Sequence, residues 1–264
     1  MTDWLSLTRG NAPLIVSIPH AGMIIPDDIS GLVSLDIARR DADHHVDRLY
    51  AFAADLGATI IHSRISRTVI DLNRDPSGQS LYPGQVTTGL CPTSTFDGEP
   101  LYAAGSEPAA VEIDRRRAIY FEPYHRALSE QIERLRARHP AVVLYDAHSI
   151  RSHMPRLFDG ELPQFNIGSY DGLSCDAALT DAIAATCASQ SHVINGRFKG
   201  GWITRHYGEP SRGIHAVQME LAIRGYADED DVWPPLWDAA HAMSMQARLN
   251  TILTTCLDFA KDQA

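Results

Sequence analysis

The sequence predicts an α/β fold. Short runs of β-branched and apolar residues that stop at Gly, Pro or Asp alternate with stretches of helical periodicity. The 264 residues are 44% apolar and 21% charged, enough to bury a full core. In chain order, LIVSI at 14–18 is the first buried strand. Val46, Leu49, Tyr50 and Phe52 to Leu56 follow with helical spacing, and strands are predicted at 58–62 and 68–72. From Ile113 onward, Tyr124, Leu128, Ile132 and Leu135 form one helical stripe. Strands at 142–145 and 165–167, a helix from Ala177 to Ala188, strands at 192–194 and 216–221, and a helix from Trp237 to Phe259 complete the pattern. Two Gly-rich loops, 75–102 and 197–213, are long enough to suggest function. No internal repeat and no flexible linker divides the chain, so residues 1–264 are expected to form one domain.

Charge narrows the function. With 33 acidic against 23 basic residues, the net charge of -10 disfavours nucleic acid and anionic membranes, which require a cationic surface. No apolar stretch approaches the roughly 20 residues of a membrane span, and the first residues lack the apolar region of a signal peptide. A cytoplasmic protein acting on a small molecule is expected. Cys91, Cys175, Cys187 and Cys256 form no CxxC pair, so any metal must be held by nitrogen and oxygen. No Walker loop, GxGxxG, GxSxG or HExxH occurs, leaving nucleotide binding, serine hydrolysis and zincin chemistry without a motif.

Five places can carry chemistry. His20 lies just past the first strand, where a single imidazole is either a hydrogen-bonded structural residue or a ligand. The segment DADHHVD places Asp41, Asp43, His44, His45 and Asp47 at a helix start, more acid and imidazole than a cap requires. LYDAHSIRS crowds Asp146, His148 and Arg151 at a strand end. Glu220 sits inside the apolar strand HAVQMELA, a costly place for a carboxylate without a partner or a task as general base. In SRTVIDLNRD, Arg74 beside Asn73 can grip a carboxylate, and Asp71 can hold a guanidinium still; the alternative is an Arg–Asp surface pair.

Together SIPHAG, DADHHVDRLY, VIDLNRDPSG, LYPGQVTTGLCPTSTFDGEPLY, PYHRAL, LYDAHSIRSHMPRLFDG, FNIG, NGRFKGGWITRHYG and HAVQMELA resemble the N-formylglutamate amidohydrolase family of histidine degradation, in the family's order, from about Pro13 to Arg224. The resemblance implies a three-layer α/β/α fold with a mixed sheet, similar to the zinc carboxypeptidases and aspartoacylases. It further implies one divalent metal ion, zinc first, with cobalt, manganese or iron as alternatives. His20 and His148 match metal histidines, Asn73 and Arg74 the carboxylate grip, and Glu220 the general base. The chain departs from the carboxypeptidase pattern where Met23 stands three residues after His20. The acidic ligand must then come from the aspartate-rich segment, Asp43 in preference to His45. Arg151 or Arg67 is positioned to stabilise an oxyanion, and Arg205 or Arg197 to take a second substrate carboxylate. The implied reaction is hydrolysis of N-formyl-L-glutamate. A related N-acyl-amino-acid amidase, a formimino-glutamate hydrolase and a non-catalytic binding protein are the alternatives. The chain after Gly225 is expected to serve as a packing helix.

Overall fold

A computed structural model describes residues 3–229 and 233–263. Its elements in chain order are strands β1 (Leu5–Thr8) and β2 (Leu14–Ile18), helices α1 (Leu35–Arg39) and α2 (Val46–Leu49), and strand β3 (Thr59–Ser63). After a long irregular stretch come helices α3 (Ala110–Arg116) and α4 (Glu122–Arg136), joined by a π-helical turn, and strands β4 (Val142–Ile150) and β5 (Phe165–Gly168). Helix α5 (Ala177–Cys187), strand β6 (His192–Ile194), helix α6 (Trp202–Tyr207), strand β7 (Ile214–Ala222) and helix α7 (Ala239–Asp262) follow.

The strands form one mixed sheet in the order β1-β3-β2-β4-β7-β5-β6. The β3, β2, β4 and β7 strands run parallel, so their carboxyl ends open on one edge. The β1 and β5 strands pair antiparallel with β3 and β7 respectively. Because side chains alternate along a strand, each face has its own core. On one face, Val143, Tyr145 and Ala147 of β4 and Val217, Met219 and Leu221 of β7 pack under α2, α5 and α7. On the other, Val142 and Leu144 of β4 and Ile214 and Ala216 of β7 pack against Tyr124, Leu128, Ile132 and Leu135 of α4. The result is the expected three-layer α/β/α arrangement, with α7 as the packing helix beyond Gly225.

That second face changes character toward the open edge. The next residues on it are Asp146 and His148 of β4 and Gln218 and Glu220 of β7. The parallel register sets Asp146 beside Gln218 and His148 beside Glu220. Apolar residues anchor the lower half of each strand, and polar ones project from the upper half, where the ligand crevice of an open α/β sheet lies.

Four elements differ from the sequence reading. The segment 68–72 is buried but is not a strand. Its backbone bonds are spent in turns, Val69 N–H to Ser66 O and Arg74 N–H to Asp71 O, while Asp71 N–H reaches Leu90 O at 2.7 Å. Strand β4 runs five residues past Tyr145 because β7 pairs with it as far as Ile150. The 197–213 loop contains helix α6, and the short, half-buried edge strand β1 carries too weak a pattern to be predicted.

Candidate active site

His20, Asp43 and His148 are buried and converge at the open edge, with one potential ligand atom of each within 4.8 Å of the others. Pro19 and the turn after β2 deliver His20, and its carbonyl accepts from Asp43 N–H at 3.0 Å, tying the two segments together. Next along the chain, His45 begins α2 with φ 66°, a left-handed conformation that sends its ring away from the crevice. Its Nε2 meets Pro235 O at 2.7 Å. Of the aspartate-rich segment, therefore, Asp43 joins the two histidines and His45 does not.

A second layer of carboxylates holds each imidazole. His20 Nε2 lies 2.7 Å from Asp71 Oδ1, and His148 Nε2 lies 2.9 Å from Asp146 Oδ2. The opposite nitrogens face the centre, with His148 Nδ1 3.0 Å and His20 Nδ1 3.7 Å from Asp43 Oδ2. His20 Nδ1 is buried without a hydrogen-bond partner. Such an orphan is costly unless something absent completes it. Two imidazole nitrogens and a carboxylate oxygen, each imidazole backed by a carboxylate, are the donor set and the orientation that a divalent cation requires.

The carboxylates are themselves anchored. Asp71 accepts from Arg67 Nη2 at 2.7 Å and lies 3.4 Å from Arg74 Nε. Burial opposes its ionisation, yet Arg74, His20 and Arg67 hold its carboxyl well below the usual range. Asp146 accepts from Ser17 Oγ at 3.0 Å and from Asn73 Nδ2 at 2.8 Å. Asn73 Oδ1 in turn accepts from Ile203 N–H at 2.7 Å. A Cβ at Gly201 would stand 2.5 Å from the Asn73 side chain, so only glycine lets α6 begin there.

Above the three residues opens a cavity lined by His20, Arg67, Arg74, His148, Arg197 and Glu220 among others. Among the described residues the Glu220 carboxylate receives only a long contact, 3.4 Å from Gln218 Nε2. Burial pushes its carboxyl up to about 8, with His148 and Arg67 pulling the other way and Asp43 and Asp146 adding to the rise. A carboxyl with that environment, beside a candidate cation site, has the properties of a general acid and base.

The sequence profile of the family described as N-formylglutamate amidohydrolase matches residues 12–227, which include every residue of this cluster. The chain belongs to the N-formylglutamate amidohydrolase family. It is 46% identical over 267 residues to an N-formylglutamate deformylase of Pseudomonas aeruginosa, covering 100% of this chain and 99% of that one. An N-formylglutamate deformylase of Pseudomonas putida is 48% identical over 235 residues, 88% of each chain. The fold matches the crystal structure of an N-formylglutamate amidohydrolase from Ralstonia eutropha with a TM-score of 0.82, at 23% identity and 99% coverage of both chains.

In this member of the N-formylglutamate amidohydrolase family, His20, Asp43, His148, Glu220, Arg67 and Arg74 all reach the centre or its cavity wall. Three expectations need correction. Arg151 is not at the cavity: its Nη2 donates to Asp97 at 2.6 Å, and its guanidinium lies over the Trp233 ring. Arg205 also turns away, donating to Gly200 O and Leu81 O while stacked between Tyr82 and Tyr170. It braces the 75–102 loop, whose Tyr82 hydroxyl donates to Gly200 O at 2.9 Å. Asn73 lines the cavity, but its amide is already engaged within the protein, donating to Asp146 Oδ2 and accepting from Ile203 N–H, with His148 Nε2 2.9 Å away. Arg156 and Gln218, not singled out from the sequence, also line the cavity. Among the described residues no helix is long and apolar enough to cross a membrane.

Proposed function

We propose that this protein is a metal-dependent amidohydrolase that converts N-formyl-L-glutamate and water to formate and L-glutamate, as a cytoplasmic step of histidine degradation carried by one domain. The observation that carries the reading is the buried His20–Asp43–His148 cluster, with its unpartnered His20 Nδ1, beside Glu220. The activity of the two Pseudomonas relatives supports the substrate. His20, Asp43 and His148 would hold the cation, zinc first for this donor set, with cobalt, manganese or iron as alternatives. When bound, such an ion supplies a Lewis acid that polarises the formyl oxygen and acidifies a water.

The chain's own groups do the rest. Glu220, in its ionised form, takes a proton from the water as the water oxygen attacks the formyl carbon. Arg67 lines the cavity with its guanidinium fixed by Asp71 and is the cationic group placed to face the developing oxyanion. The C–N bond then breaks, and Glu220 returns the proton to the leaving amine, giving formate and the amino acid. Asp71 and Asp146 keep the two imidazoles oriented throughout. Arg74, fixed by Thr88 O at 3.1 Å, grips the α-carboxylate next to the scissile amide.

This placement is tested by steady-state kinetics. Arg74→Ala is expected to raise KM about 10- to 100-fold, the value of a hydrogen bond between charged groups, with a smaller loss in kcat. An unchanged KM would remove Arg74 from the substrate site.

A further inference from the structure

Four guanidinium groups line the cavity, those of Arg67, Arg74, Arg156 and Arg197, and they divide by their partners. Arg67 and Arg74 lie against Asp71, at 2.7 and 3.4 Å. Arg197 and Arg156 have no carboxylate within 4.0 Å among the described residues. Arg197 is nevertheless held in place. Its Nε donates to Leu157 O at 2.9 Å and its Nη2 to Val86 O at 3.0 Å, and its guanidinium lies 5.4 Å from the Tyr82 and Phe198 ring centres. Those bonds leave Nη1 without a protein partner among the described residues. The same Leu157 follows Arg156, whose Nη1 donates to Thr95 O at 3.2 Å and whose guanidinium rests over Gly98.

A half-buried cation with carbonyls on two sides, aromatic rings nearby and no counter-charge is expensive to keep. The contrast with Arg67 is direct. There the carboxylates of Asp71, Asp43 and Asp41 overcome burial and raise the guanidinium's pKa, whereas burial lowers that of Arg197. Fixed donors lining a cavity, with no protein carboxylate beside them, are what a site for a second carboxylate looks like.

We infer that Arg197, supported by Arg156 at the cavity mouth, grips the side-chain carboxylate of a dicarboxylic N-acyl amino acid and sets the preference for it over a neutral side chain. The inference rests on the proposed hydrolysis and names the residues that select its substrate. Of the two arginines the sequence offers for this carboxylate it selects Arg197, since Arg205 is occupied in bracing the loop.

The test compares kcat/KM for N-formyl-L-glutamate and N-formyl-L-glutamine, which differ by one charge at the side-chain terminus, using the metal-loaded protein. In Arg197→Met the ratio of the two is expected to fall about 50-fold, mainly through KM for the charged substrate. Arg197→Lys is expected to recover part of the ratio, because a point cation remains. Arg156→Met, at an exposed residue, is expected to lower the ratio about 5-fold and does not depend on the Arg197 loop folding correctly. Equal losses on both substrates in Arg197→Met, with the ratio kept in Arg156→Met, would overturn the inference while leaving the hydrolytic reading in place. Absence of formate release from either substrate by the unsubstituted protein would overturn both.

Discussion

Replacing Glu220 with Gln is expected to lower turnover about 10²- to 10⁴-fold, the range of a lost general base, with metal content unchanged. The same substitution should stabilise the metal-free protein. The folded-state value of about 8 lies above the ordinary 4.5, so between those values the native protein holds a proton that the unfolded chain has released. Stability of the unsubstituted metal-free protein therefore falls as pH rises from about 4.5 through about 8. Gln, a neutral isostere, removes that loss. The melting temperature of Glu220→Gln should exceed that of the parent at pH 8.5, and the gap should close near pH 5. Normal turnover in this variant would remove Glu220 as the base, and a gap independent of pH would contradict its burial as a neutral acid.

The second large effect concerns the cation. Asp43→Asn removes the only carboxylate of the buried triad and should abolish stoichiometric metal binding, measured by elemental analysis after dialysis, together with activity. Asp71→Asn leaves all three triad atoms in place; for the metal it acts through the orientation of His20, while also loosening Arg67 and Arg74, so it should weaken metal affinity by roughly 10- to 100-fold. The order of the two losses is the informative result. One equivalent of metal retained in Asp43→Asn would remove Asp43 as a ligand.

Much of this site is legible in the sequence because strands display it. His20 follows an apolar run, and Glu220 interrupts one. The α/β alternation and the 14–18 strand are readable for the same reason, since burial on both faces leaves a continuous apolar run. The role of Asp146 is latent in period-2 alternation: standing two residues before His148, it must share its face. The same rule disqualifies Arg151, three residues after His148, once β4 is known to run to Ile150, and that length depends on pairing with β7, a long-range contact no local pattern reports. The 68–72 segment misleads for the opposite reason. Val69, Ile70 and Leu72 are apolar because they are buried, yet Asp71 and its neighbours bond through turns and side chains instead of a ladder. Arg156 and Arg205 lie where only the course of loops decides which guanidinium meets the cavity. For Asn73, the DLNR motif indicates a binding pair, while its amide is committed to Asp146.

The metal-dependent hydrolysis is tested most directly by formate release from N-formyl-L-glutamate by the purified protein, before and after a chelator and again after zinc is restored, with N-acetyl-L-glutamate in parallel. The expected result is release from the formyl substrate that the chelator stops and zinc restores, with little release of glutamate from the acetyl substrate. Undiminished release from a protein shown to be free of metal would contradict the role given to His20, Asp43 and His148.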